Sequence, residues 1–166
     1  MTKTPKANAN FHRRSLLVAG VATTWGLTGL GSALAQTKST GPRKIVLGQS
    51  VPLTGAASEI GLAFAAGAKL FVDSFNERKN NPGWLLELRQ LDDGYDATKA
   101  TANAKKLLED GADVLFGFVG TASADAGAAV AKAEGAILFA PFAAADALRE
   151  PGHPSVFHVR PSMSDE

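Results

Sequence analysis

From residue 44 onward the sequence repeats one alternation: a short apolar run, a loop carrying Gly, Asp or Pro, then a stretch of helical periodicity. Lys44-Ile45-Val46-Leu47-Gly48-Gln49-Ser50 is the first run and reads as a strand, and 51–57, with Pro52 and Gly55, reads as a loop. Ser58 is placed to cap a helix reaching about Arg78. Ile60, Phe64, Ala68, Phe71 and Phe75 recur there at three- and four-residue steps and predict one inward stripe. Residues 86–91 alternate Glu87 and Arg89 with apolar neighbours, as in a strand near a sheet edge. Asp92-Asp93-Gly94-Tyr95 ends it, and Asp96 stands where it can cap a helix over 97–110 that Gly111 terminates. A third strand is expected over 114–119. Gly120-Thr121-Ala122-Ser123 opens an alanine-rich helix closed by Gly135. A fourth strand over 136–140 stops at Pro141, and a fifth over 155–160 stops at Pro161.

Strands separated by helices cannot pair as hairpins. They pair parallel through right-handed crossovers, with helices on both faces of the sheet. The expected fold class is therefore α/β, a doubly wound parallel sheet. In such sheets ligands sit beyond the carboxyl ends of the strands, where neighbouring connections diverge. The loops 50–59, 92–96, 120–123, 142–146 and 160 onward should then share one edge.

Residues 1–35 carry Lys3, Lys6, Arg13 and Arg14 and no acid. An uncharged stretch over 15–31 follows, then Ala33 and Ala35 at the two subsites where a signal peptidase accepts only small side chains, so a cut is expected after Ala35. Paired arginines before Leu16-Leu17 and an apolar region diluted by glycine and threonine resemble a twin-arginine export signal; the general secretory route stays open. A membrane anchor is the competing reading, but about 17 diluted residues fall short of a spanning helix. Residues 36–43 read as a flexible leader. Without 1–35, 13 basic and 16 acidic residues remain. Net −3 gives no electrostatic footprint for nucleic acid. The absence of cysteine excludes disulfides, thiolate metal sites, thiol nucleophiles and an N-terminal lipid anchor.

The first turn, Gly48 to Gly55, does not match a dinucleotide-binding fingerprint, and no phosphate loop, nucleophile elbow or zinc-protease motif occurs. His153 and His158 lack metal-binding company. No catalytic residue, metal ligand or cofactor is assigned. What remains is a hydroxyl with backbone donors at a helix start: Thr121 and Ser123, with the N–H groups of Ala122, Ser123 and Ala124, can hold a carboxylate. Thr121 or Ser123 serving only as the helix cap is the alternative. Asp92 and Asp93 read as turn formers and Tyr95 as a packing residue on the same rim. Rival readings are a small exported flavodoxin-like hydrolase using Asp92 or Asp93 with His158, and a receptor sensing module.

In order and spacing, Val51-Pro52-Leu53-Thr54-Gly55, Leu91-Asp92-Asp93-Gly94-Tyr95-Asp96, Phe116-Gly117-Phe118-Val119-Gly120-Thr121, Ala140-Pro141-Phe142 and Val156-Phe157-His158-Val159-Arg160-Pro161-Ser162 resemble the N-terminal lobe of periplasmic binding proteins of the branched-chain amino-acid (Leu/Ile/Val) transporter family. The resemblance implies one lobe of a type I periplasmic binding protein fold over 44–160, with 161–166 starting the hinge to an absent second lobe, and a truncated product. It implies capture of a small solute, an amino acid or a related carboxylate or amide, for an inner-membrane ABC permease. By position, Thr121 grips the ligand carboxylate and Ala143 presents backbone to its head group, with Ala122, Ser123, Phe142 and Ile60 completing the site. Ala144 replaces the usual hydroxyl and Ile60 a pocket tyrosine, which weakens the case for an ordinary α-amino acid. The resemblance also implies a bare apolar face where later segments would pack, and self-association through it.

Overall fold

The computed structural model describes residues 41–80 and 83–166. The expected export signal over 1–35, and 36–40 of the leader, lie outside the described residues. Among the described residues five strands form one sheet: β1 (Arg43–Val51), β2 (Trp84–Asp92), β3 (Val114–Phe116), β4 (Leu138–Phe139) and β5 (Val156–Phe157). The helices between them are α1 (Ser58–Glu77), α2 (Ala97–Glu109) and α3 (Thr121–Glu134), and a 3₁₀ turn spans Asp146–Arg149. The strand order is β2-β1-β3-β4-β5 and every pairing is parallel. This is the doubly wound α/β sheet that the alternation predicts.

The sheet is longest where it begins. β1 and β2 stay in register from Arg43↔Trp84 to Val51↔Asp92, outrunning the expected 44–50 and 86–91. β3 is shorter than the expected 114–119 because Gly117 takes φ +60, which turns the chain out of the ladder. A Cβ at Gly117 would also meet Phe64 Cε1 at 2.7 Å. Ala140, at φ 52, bends the chain after β4 in the same way. Past these bends the two segments pair again at Val119↔Phe142. β5 holds only two of the expected residues 155–160, and 161–166 form a turn in which Asp165 N–H donates to the Ser162 carbonyl.

The two faces of the sheet are covered unequally. Val46, Leu115, Phe118 and Leu138 pack against Ala100, Ala104 and Leu107 of α2 and Ala124, Ala128 and Ala131 of α3. Alanines at these positions let both helices sit close to the sheet. On the other face α1 stands alone. Its closest approach runs through Gly61, Ala65 and Val72, which are buried, rather than through the predicted stripe. Ile60 and Phe71 are 56% and 57% exposed. Of the stripe, Ala68 and Phe71 instead border a groove of about 550 Å³, lined wholly by apolar side chains that include Ile45, Leu47, Ile137, Phe139 and Phe157. Among the described residues nothing covers that groove.

Local chemistry fixes the helix ends. Asp96 accepts the N–H groups of Thr98 and Lys99 as the cap of α2. Gly111 and Gly135 take left-handed conformations after α2 and α3, as the sequence predicts. Ser58 is not a cap: it is the first residue of α1, and Ala57 occupies the cap position without a side-chain bond. No helix among the described residues is long and apolar enough to cross a membrane.

Candidate functional site

Because all five strands run parallel, the loops after them emerge at one end, and Pro52, Asp93, Thr121 and Phe142 are gathered there. Strand order reverses between β1 and β3, so α1 leaves toward one face and α2 returns on the other. This divergence opens a crevice. A cavity of about 530 Å³ occupies it, lined by Ala56, Ala57, Ile60, Gly94, Tyr95, Val119, Gly120 and Phe142. No charged side chain lines it. Of the residues expected from sequence, Ile60 and Phe142 are walls of this cavity.

Thr121, Ala122 and Ser123 follow Gly120 as the first turn of α3. Gly120 is the cap residue, with φ 89 and ψ 153, and makes no side-chain cap bond. Neither Thr121 nor Ser123 is therefore spent on capping, and the amides at the helix start face the crevice end without a capping oxygen. Thr121 and Ala122 are exposed, whereas Ser123 and Ala143 are buried at 2% and 4%. Any role for Ser123 or Ala143 runs through backbone.

Three acids shape the rim, each differently. Asp92 Oδ1 accepts from the backbone N–H groups of Leu53, Thr54 and Gly94, and Oδ2 accepts the Thr54 hydroxyl at 2.6 Å. The Thr54 hydroxyl and then the Gly94 N–H hold its pKa down at about 2. Asp92 thus stitches the loop after β1 to the loop after β2. Asp93 is fully buried; its Oδ2 accepts the Ser50 hydroxyl and its Oδ1 the Tyr95 N–H, each at 2.8 Å. Burial pushes its pKa up. Asp96 spends its carboxylate on the α2 cap, and the Lys99 and Thr98 N–H groups lower its pKa. All three act as turn and cap formers, the reading the sequence favoured for the first two.

Phe142 is held from both sides. Its N–H donates to the Phe118 carbonyl, its carbonyl accepts the Gly120 N–H, and its ring lies 5.2 Å from Phe64. The Arg160 guanidinium sits 5.3 Å from the same ring. Behind it Phe64 stacks on Phe116 and Phe116 on Phe139, so four rings run from the crevice to the apolar groove. The feature that sequence reading missed is the reach of Tyr95 to Gly120. The only local signal was the pair of Asp residues before Gly94, which marks a turn but not its direction.

A hydrolytic arrangement of Asp92 or Asp93 with His158 does not assemble. The aspartates end β2 at one edge of the sheet and His158 follows β5 at the other, about 19 Å apart at the usual strand spacing. His158 Nε2 pairs with the Leu148 carbonyl instead.

The family described as "Periplasmic binding protein" matches residues 44–166. The leucine-, isoleucine-, valine-, threonine-, and alanine-binding protein of Pseudomonas aeruginosa is 28% identical over 108 residues, covering 65% of this chain and 29% of that protein. Among solved structures, a possible leucine/isoleucine/valine-binding protein from Rhodopirellula baltica SH 1 is similar with a TM-score of 0.68 at 28% identity, covering 76% of this chain and 34% of that one. An extracellular ligand-binding receptor from Verminephrobacter eiseniae ef01-2 is similar with a TM-score of 0.64 at 26% identity, covering 72% and 34%. The chain spans about a third of the length of these proteins.

Proposed function

The chain belongs to the periplasmic binding protein family, and from that premise we propose that its strand-tip crevice is one half of a solute-binding cleft serving an ABC importer. The carrying observation is the cavity between Ile60, Tyr95, Phe142 and Gly120, which opens beside the uncapped start of α3. Apolar walls strip water from a small guest, and the Thr121 hydroxyl with the amides of Ala122 and Ser123 meets its carboxylate. Phe142 and Ala143 contribute wall and backbone. Closure of a second lobe over this half, about a hinge at 161–166, would lower the local dielectric and strengthen each hydrogen bond to the guest.

The solute is an amino acid or a related small carboxylate or amide, held without being transformed. Ala144 and Ile60 at positions where amino-acid binders place hydroxyls favour a guest other than an ordinary α-amino acid. The protein acts in the periplasm, exported by the signal at 1–35, and its partner is an inner-membrane permease. Where nothing else covers it, the apolar groove pairs with a second copy through the same face, since an isologous contact hides Phe71, Ile137, Phe139 and Phe157 of both copies at once.

The test is a titration of residues 36–166 with L-leucine, acetate and benzoate at millimolar concentration, followed by amide resonances. Shifts confined to Ile60, Gly94–Tyr95, Gly120–Ser123 and Phe142–Ala143, weakened in Thr121→Ala, support the reading. Shifts elsewhere, or appearance of a reaction product, overturn it. Calorimetry should find no tight binding, because half of the cleft leaves the guest open to water.

A further inference from the structure

We infer that Asp93 is the positioning residue of the crevice, holding Tyr95 as a fixed wall across Gly120 beside the start of α3. Its meaning for a guest rests on the solute-binding reading; the positioning itself does not.

The inference starts from an unfavourable conformation. Gly94 and Tyr95 both have positive φ, 55 and 68, and Asp96 N–H donates to the Asp93 carbonyl at 2.9 Å. These are the marks of a type I′ turn with Tyr95 at its second central position. Asn or Gly is the usual occupant there, because a larger side chain clashes with its own backbone. A tyrosine persists in such a conformation only where its surroundings over-determine it.

Asp93 supplies that constraint. Its Oδ1 accepts the Tyr95 N–H, and its Oδ2 is fixed by the Ser50 hydroxyl of β1. Ser50 in turn accepts from Asn103 Nδ2 of α2. The carboxylate is thus anchored through two separate elements and cannot swing away from the turn. Asp92 and Asp96 make comparable bonds while exposed to solvent. Of the three, only Asp93 is buried, and only Asp93 grips Tyr95, whereas Asp92 holds the neighbouring Gly94 N–H.

The ring then meets Gly120. A Cβ there would lie 2.6 to 2.8 Å from Tyr95 Cε2, Cζ and Oη, so the ring rests directly on the glycine backbone. It is still 55% exposed. One side covers the residue that caps α3 and the rest faces the cavity. A guest moving toward Thr121 therefore passes along a tyrosine whose place is set by a carboxyl group it never touches.

Tyr95 is the sole tyrosine of the chain, so its ring can be observed alone. The measurement is the aromatic ring-current displacement of the Gly120 α-proton resonances, with ring-to-Gly120 nuclear Overhauser contacts, in the full chain without solute. Tyr95→Leu gives the undisplaced baseline. Asp93→Ala is expected to return Gly120 to that baseline while the α2 and α3 amide pattern persists. Asp93→Asn, which keeps an oxygen for the Tyr95 N–H, is expected to restore the displacement. Ser50→Ala, which frees one anchor and leaves the Tyr95 bond untouched, serves if Asp93→Ala does not fold; a partial loss is expected. Wild-type displacement in Asp93→Ala, or full displacement in Ser50→Ala where that variant serves, overturns the role. The readout needs no guest, so its failure is separate from failure of the solute titration.

Discussion

Tyr95 lies across the backbone of Gly120, so close that a Cβ on the glycine would sit 2.6 Å from the ring carbon Cε2. Gly120 also has φ +89, a conformation that L side chains rarely adopt. Gly120→Ala should therefore destabilise the protein twice over, by backbone strain and by collision, at about 2–3 kcal/mol in total. In a Tyr95→Ala background only the strain remains, and the cost should fall by about 1 kcal/mol. Urea unfolding of the four proteins of this cycle measures the difference; equal costs in both backgrounds would mean that the ring does not bear on Gly120.

Asp92 and Asp93 should pull stability in opposite directions with pH. The pKa of Asp92 is lowered from 3.8 to about 2 by the Thr54 hydroxyl and Gly94 N–H. Its bonds stabilise the fold above its unfolded value and are lost as pH falls from about 4 to about 2, a loss of roughly 1 kcal/mol for so exposed a group. Asp93 is raised by burial. The folded state then holds that proton more tightly than the unfolded chain, so the cost of ionising Asp93 fades as pH falls through its folded value. Asp92→Asn should flatten the acid loss of stability, and Asp93→Asn should steepen it. Unfolding midpoints between about pH 6 and about pH 2.5 decide, and the opposite order for the two variants would reject the assignment.

Removing the oxygen that caps α2 has a narrower effect. Asp96→Ala frees the Thr98 and Lys99 amides and should lower the stability of the helix start. Amide exchange should accelerate most in the first turn of α2. Uniform acceleration across the molecule would show that the cap matters only to global stability.

The apolar groove predicts behaviour at high concentration. Sedimentation of residues 36–166 should show mass rising with concentration. Phe71→Lys combined with Phe157→Lys, each replacing a half-exposed ring on the groove, should weaken the association at least about tenfold. A clean monomer at high concentration would remove the self-pairing proposal and leave the crevice untouched.

What the sequence made legible was decided by short-range chemistry. Asp96, Gly111 and Gly135 end their helices through bonds and dihedral angles within a few residues, and each could be read in place. The alternation of strands and helices carried the sheet, and parallel strands then put every loop of interest at one end. The rest depended on contacts distant in the chain. Nothing in Ala140-Pro141 announces a positive φ, because the residue before proline ordinarily favours extended backbone. The stripe from Ile60 to Phe75 has the period of a buried face, yet Gly61 and Ala65 win the close approach because they are small. Tyr95 looked like packing, and only the fold reveals what it packs on.

The stack of Phe142, Phe64, Phe116 and Phe139 ties the two hollows of the molecule together, with neighbouring centroids 5.2 to 6.4 Å apart. Surface engineering on the far side of the sheet is therefore not remote from recognition. A charge introduced at Phe139 to improve handling removes the end stop against which Phe116 rests, and only Phe64 then separates the disturbed ring from the one that faces a guest.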